Sequence, residues 1–211
     1  LLSFDGGNDL PDLAGKNPWF ALPGNREDAA AAAAAARAFG VHASAIDSAL
    51  ARFKGLPGRF EWIQREPFGV VIDYAHTPQS LKTIYQTLRN SKFEARNSKL
   101  ICVLGSAGGG RDTWKRPEFG KIAAEYCDHV ILTNEDPYGE NPQNILDEIE
   151  CGFSQVQSPK SKVQSIVQIL DRQKAIERAV TMASKNDIVV VTGKGSESWI
   201  HGARGKKIPW S

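Results

Sequence analysis

Phe68-Gly69-Val70-Val71-Ile72-Asp73-Tyr74-Ala75-His76-Thr77-Pro78-Gln79-Ser80-Leu81 is the stretch that decides the fold. Its first half is a short, continuous, β-branched apolar run, the pattern of a strand buried on both faces. Thr77 and Pro78 then supply a helix N-cap and first residue, and Leu81, Ile84, Tyr85 and Leu88 follow at i, i+3, i+4 and i+7 on one helical face. The pattern recurs downstream. Residues 100–104 read as a strand, followed by a glycine loop and a helix over about 116–126. Residues 129–133 read as the next strand, with a helix over about 142–150, and 163–170 as another, with a helix over about 172–184. A last buried strand covers 187–192. Short apolar strands alternating with helices imply an α/β fold, a Rossmann-like, mostly parallel sheet with helices on both faces, because parallel strands need crossover connections.

Upstream the pattern differs. Residues 1–22 carry scattered glycines and prolines without a period and read as irregular connection, with one short strand over 19–22. Asn25 is a candidate N-cap with Asp28 three residues on, and eight consecutive alanines, Ala29 to Ala36, lead to Phe39 and a stop at Gly40. Such small side chains suit a helix packed closely on a neighbour. A second helix is expected over 44–53, and Gly55-Leu56-Pro57-Gly58 is a break strong enough to separate two domains, 1–56 and 57–211.

Composition narrows the function. Among 211 residues, 26 basic side chains against 24 acidic ones leave a formal charge of +2, which gives no footprint for nucleic acid or an anionic membrane. No apolar run approaches the ~20 residues that span a bilayer, and residues 1–20 lack the basic start and apolar block of a signal peptide, so a cytosolic protein is expected. A monomer is the expected assembly. Cys102, Cys127 and Cys151 have no close pair and no nearby histidine cluster, so reduced thiols, mostly in the core, are expected rather than a disulfide framework or a zinc site. The chain opens on Leu1 and its only methionine is Met182, so it reads as a piece of a longer polypeptide.

Ligands of open α/β sheets bind at the carboxyl ends of the strands. That rule selects residues 73–78, 105–116, 133–142 and 193–197. They offer Asp73, His76, Arg111, Asp112, Lys115, Arg116, Glu135, Asp136, Lys194 and Glu197, a mixture of both signs that suits a zwitterion such as an amino acid. The glycine loop Gly105-Ser106-Ala107-Gly108-Gly109-Gly110-Arg111-Asp112 is either a phosphate cradle or a tight turn; it is not a Walker A loop, and Arg111 could fork a carboxylate. His76 is either a ligand contact or a turn stabiliser, and Glu135-Asp136-Pro137 either a cation site or a solvated acidic turn. Gly193-Lys194-Gly195-Ser196-Glu197 is sharper, since two glycines flanking a lysine are hard to explain by packing. A serine nucleophile is excluded: no Gly-x-Ser-x-Gly occurs, and His42, His76, His129 and His201 offer no partner.

Taken in order, Gly58-Arg59-Phe60-Glu61, Asp73-Tyr74-Ala75-His76-Thr77-Pro78, Gly109-Gly110-Arg111-Asp112 with Lys115-Arg116-Pro117, the Pro137 loop and Gly193-Lys194-Gly195-Ser196-Glu197 resemble the Mur ligase family, nearest its branch acting on UDP-N-acetylmuramoyl-dipeptide. The resemblance implies that residues 1–56 are the helical end of a P-loop ATPase domain and 57–211 a C-terminal Rossmann-like domain that binds an amino acid, lacking its final helix. It implies ATP-dependent amide formation through an acyl phosphate in peptidoglycan biosynthesis, with UDP-MurNAc-dipeptide, an amino acid and ATP as partners. The P-loop, the Mg2+ ligands and the catalytic residues would lie upstream of Leu1.

On the same resemblance, Arg111 would hold the amino-acid carboxylate. Glu135, Asp136, Tyr138, Gly193 and Glu197 would contact the rest of the amino acid. Arg59, Asp73 and His76 would face ATP, with Asp28 where the family has an adenine-side asparagine. Ligases for meso-diaminopimelate carry Asp-Asn-Pro-Arg where this chain reads Glu135-Asp136-Pro137-Tyr138. Loss of that arginine and gain of an acid point to a cationic side chain, lysine or ornithine, ahead of diaminopimelate. Two other readings remain: a folylpolyglutamate- or cyanophycin-type ligase on the same fold, and a non-catalytic amino-acid or nucleotide-binding module.

Overall fold

The computed structural model describes residues 13–90, 98–110, 112–156 and 161–210. The chain forms two compact units, Leu1–Leu56 and Pro57–Ser211. In the first unit, helix α1 (Leu13–Lys16) leads through a 3-10 turn (Pro18–Ala21) into α2 (Pro23–Ala38) and α3 (Ala43–Ala51). The strand expected over 19–22 is therefore a helical turn. Asn17 accounts for it: its side-chain oxygen accepts the Trp19 N–H at 3.1 Å and its amide donates to the carbonyl of Phe53 at 2.7 Å. Asn25 does not cap the next helix. Pro23, with its fixed φ, starts α2 directly after Leu22, and Asn25 donates instead to the Trp19 carbonyl at 2.8 Å. Of the alanine run, Ala29, Ala30 and Ala33 are buried, and Ala29 and Ala30 pack with Leu13 and Phe20.

The second unit is built on a six-stranded sheet of β1 (Glu61–Gln64), β2 (Gly69–Asp73), β3 (Leu100–Leu104), β4 (His129–Leu132), β5 (Ser165–Gln168) and β6 (Ile188–Thr192), in the order β1-β2-β6-β3-β4-β5. Only the pairing of β1 with β2 is antiparallel. Helices α4 (Pro78–Arg89), α5 (Lys115–Tyr126) and α6 (Pro142–Cys151) lie on the connections that step one way from β2 to β5, and α7 (Arg172–Met182) on the connection that returns to β6. Right-handed crossovers in opposite directions put helices on opposite faces, so the sheet is covered on both. The alternation of strand side chains completes the picture. Ile101, Val103, Ile131, Val189 and Val191 form one face with Ala175 and Ala179 of α7. Leu81, Ile84, Tyr85 and Leu88, the four positions read from the sequence, are all buried. Thr77 caps α4 through the Ser80 N–H, with Pro78 in the first turn.

Two findings depart from the sequence reading. The edge strand β1 has no counterpart in it, and a hairpin of β7 (Trp199–His201) and β8 (Lys207–Pro209) follows β6. Cys102 and Cys127 are not reduced thiols: they form a disulfide, with Cα atoms 6.1 Å apart and both residues fully buried. Only Cys151 is a free, exposed cysteine. Spacing along the chain concealed the pair, because β3 and α5 run antiparallel to each other and return Cys127, the C-cap of α5, to the level of Cys102.

Helices α5 and α6 approach so closely that a Cβ on Gly120 would run into the carbonyl oxygen of Ile149. Gly120→Ala should therefore lower stability by ~1–3 kcal/mol in urea unfolding, the usual cost of overpacking. An unchanged midpoint would contradict this helix packing.

Candidate functional site

The loops after β2, β3, β4 and β6 all emerge at the carboxyl edge of the parallel strands, where the strand order brings β2, β6, β3 and β4 side by side. Asp73 ends β2 and is 9% exposed. Its carboxylate accepts the Phe60 N–H at 2.8 Å and the Ala75 N–H at 2.7 Å, which fastens the Gly58–Phe60 turn to the loop after β2. Burial raises the Asp73 pKa, and the two N–H bonds oppose that rise. The Arg59 guanidinium lies over the Tyr74 ring, 4.1 Å from its centroid, and beside Gly195 of the loop after β6. His76 is exposed, with Nδ1 3.0 Å from the Tyr74 carbonyl. Glu197 accepts the Gly195 N–H at 2.7 Å and lies near the Tyr74 hydroxyl. Burial, then Glu197, raises the Tyr74 pKa.

Lys194 is 3% exposed and does not reach out to a ligand. Its ammonium bonds Asp136 of the loop after β4 at 2.7 Å and donates to the Trp199 carbonyl at 2.9 Å. Asp136 also accepts the His201 N–H at 2.8 Å, so a single ion pair joins the loops after β4 and β6 and the β7–β8 hairpin. Tyr138 is 37% exposed; it donates its N–H to the His201 carbonyl at 2.9 Å and stacks its ring on that of His201 at 5.5 Å.

Glu135 is 5% exposed, and its Oε2 has no hydrogen-bond partner. It faces Gly193, whose φ is +92° and where any Cβ would collide with that oxygen. Burial raises the Glu135 pKa, and the nearby Arg172 opposes this most strongly. Arg172, itself buried, donates to the carbonyls of Thr192 at 2.8 Å and Asn134 at 3.2 Å, bracing the ends of β6 and β4. The acidic pair expected to face a cation is thus arranged differently: Asp136 is neutralised by Lys194, and Glu135 is buried.

The glycine loop is engaged within the protein. The Gly108 N–H donates to the Asp136 carbonyl at 2.8 Å and the Gly110 N–H to the Glu140 carboxylate at 2.6 Å. Those two donors meet carboxylate or carbonyl oxygens of the chain itself, which favours the turn reading over a phosphate cradle. Arg111 lies outside the described residues. Asp28 is exposed on α2 in the first unit. The sequence singled out Lys194 and Arg116 as candidate ligand groups but missed the bracing role of Arg172 and the part played by Glu140 and His201. Only an arginine at the start of a helix after a strand hinted at Arg172. Among the described residues no group of three or more His, Cys, Asp or Glu could hold a metal ion, and no helix is long and apolar enough to cross a membrane.

Residues 58–195 match the family model described as "Mur ligase, glutamate ligase domain". The UDP-N-acetylmuramoyl-L-alanyl-D-glutamate--2,6-diaminopimelate ligase of Syntrophomonas wolfei is 42% identical over 161 residues, 76% of this chain and 31% of that protein. The enzyme of the same name from Cytophaga hutchinsonii is 38% identical over 202 residues, 94% of this chain and 40% of its own length. The chain therefore spans about a third of the length of the curated relatives it matches. A solved structure of a 2,6-diaminopimelate ligase superposes with a TM-score of 0.62 at 30% identity, covering 89% of this chain and 36% of that one. Escherichia coli FolC in complex with ADP shares the fold, with a TM-score of 0.59 at 22% identity over 80% of this chain and 36% of that chain.

Two outcomes follow for the charged groups. Lys194→Met leaves Asp136 without its cation and should cost ~3 kcal/mol, the scale for breaking a partly buried pair, in denaturant unfolding; a loss within ~0.5 kcal/mol would place the pair in solvent. Because the folded pKa of Glu135 is raised, its carboxyl contributes stability at low pH that is lost as pH rises through the folded value. Glu135→Gln should therefore gain stability relative to the parent as pH rises from the ordinary carboxyl range to neutrality. A pH-independent difference would contradict the buried, unpaired carboxylate.

Proposed function

The chain belongs to the Mur ligase family, and we propose that it serves an ATP-dependent ligase that adds a diamino acid to UDP-N-acetylmuramoyl-L-alanyl-D-glutamate. ATP would transfer its γ-phosphoryl group to the acceptor carboxylate, giving an acyl phosphate and ADP. The amine of the incoming amino acid would attack the acyl carbon, expel phosphate and lose a proton, leaving the amide. In this reading the second unit chooses and orients the amino acid. The observation that carries it is the conjunction of the family match over 58–195 with loops of both charge signs at one sheet edge.

Arg111 takes the amino-acid carboxylate in a bidentate fork, and Tyr138, Gly193 and Glu197 line the path of the side chain. Glu135 and Asp136 act one step back, by holding the loops that carry those contacts. Arg59, Asp73 and His76 belong to the ATP side, Asp73 through the Phe60 and Ala75 amides that it binds. Magnesium is assigned no residue of this chain. A cytoplasmic protein fits substrates that are nucleotides.

The identity of the amino acid turns on Asp136. The preference for lysine or ornithine rested on the loss of an arginine and on two free acids; the second ground fails, because Asp136 is paired with Lys194 and Glu135 is enclosed. Without that ground, the names of the relatives favour 2,6-diaminopimelate as first candidate. Amide formation by the full-length protein, measured with diaminopimelate, lysine and ornithine in parallel, tests the reading. Turnover should be highest with diaminopimelate, and Arg111→Ala should raise the KM for the amino acid by about a hundredfold, as expected for losing a charge-assisted fork. Failure to form an amide with any of them, or an Arg111→Ala variant with unchanged KM, would overturn it.

A further inference from the structure

We propose that Glu140 is a positioning residue of the amino-acid site: its carboxylate, held by the buried guanidinium of Arg116, accepts the Gly110 N–H and fixes the turn there. The inference rests on the reading of that loop as part of an amino-acid site.

Glu140 lies in the loop after β4, four residues beyond Asp136. Its Oε1 accepts the Gly110 N–H at 2.6 Å, and its Oε2 lies 2.9 Å from Nη2 of Arg116. Arg116 is 1% exposed at the start of α5, with Nη1 2.8 Å from Glu148. The Gly110 N–H, foremost among the causes, holds the Glu140 carboxyl below the usual carboxylate range. The loop is thus pinned at two points by the β4 side, at Gly108 through the Asp136 carbonyl and at Gly110 through Glu140.

The arrangement is that of an anion held by backbone N–H groups and an arginine, with the anion supplied by the chain. It is a built contact rather than a vacant place. Displacing Glu140 would leave a buried guanidinium with Glu148 as its remaining carboxylate, a costly exchange for an external anion. In the sequence Gly110 is followed directly by Arg111, so the Gly110–Glu140 bond anchors the residue next to the one proposed to hold the amino acid. Holding the loop at Gly110 sets its donors before a ligand arrives, which is where preorganisation improves binding.

The test uses the full-length protein with Glu140→Gln and Glu140→Ala, and Glu148→Gln for comparison, since Glu148 touches Arg116 but not the glycine loop. We expect the KM for the amino acid to rise about tenfold in both Glu140 variants, with kcat and the KM for ATP within about twofold of the parent. Acetate should lower the raised KM of Glu140→Ala by refilling the vacated place, without effect on the parent. Amide hydrogen exchange over residues 105–112 should quicken in the Glu140 variants alone. An unchanged KM for the amino acid, a lowered one that marks Glu140 as a competitor for the site, or equal effects from Glu148→Gln would each overturn the proposal. The exchange measurement needs no substrate, so an inactive parent protein would sink the ligase reading while slowed or quickened exchange still judged the loop contact.

Discussion

Strand β6 is the last of the large sheet in sequence and lies in its middle, paired in parallel with β2 on one side and β3 on the other. Its five residues, Ile188 to Thr192, are all buried, so it can exist only when helices cover both faces and neighbours take both edges. That requirement sets the reversal in crossover direction between β5 and β6. It also brings the loop after β6 to the loops after β2 and β4, from segments more than fifty residues away in the chain. The site is a by-product of satisfying one strand.

At the rim so formed, the charged side chains divide into two groups. Lys194, Asp136, Arg172, Arg116 and Asp73 are buried or nearly so and bond to the chain itself, most of them to backbone carbonyls or amides of neighbouring loops. They convert four separate loops into a braced edge. His76 and Glu197, with the neighbouring Tyr138, are more accessible, and in the proposed function they are the side chains left to meet a ligand. An edge of this kind favours recognition of a defined small molecule, because the donors and acceptors are set before it arrives.

The helices and buried strands were legible because their signals are local: continuous apolar runs, the Thr77-Pro78 cap, and the four apolar positions of α4. The loops at the strand ends were legible as well, since each lies between a strand signal and the next element. What the sequence concealed is non-local. Asp136 and Lys194 are 58 residues apart, and nothing in either neighbourhood says that each is the partner of the other. Glu135-Asp136 therefore read as a free acidic pair and Lys194 as a ligand group. The Cys102–Cys127 bond was missed for the same reason, and β1 because Glu61-Trp62-Ile63-Gln64 is too short to show a period.

In the proposed function the carboxyl edge of this sheet selects the amino acid. A crystal structure of the full-length protein with diaminopimelate bound tests it most directly. The amino acid should lie among the loops after β3, β4 and β6, with Arg111 on its carboxylate and no direct bond to Lys194 or Asp136. Diaminopimelate bound away from these loops, or seated on Lys194 with the Asp136 pair broken, would contradict it.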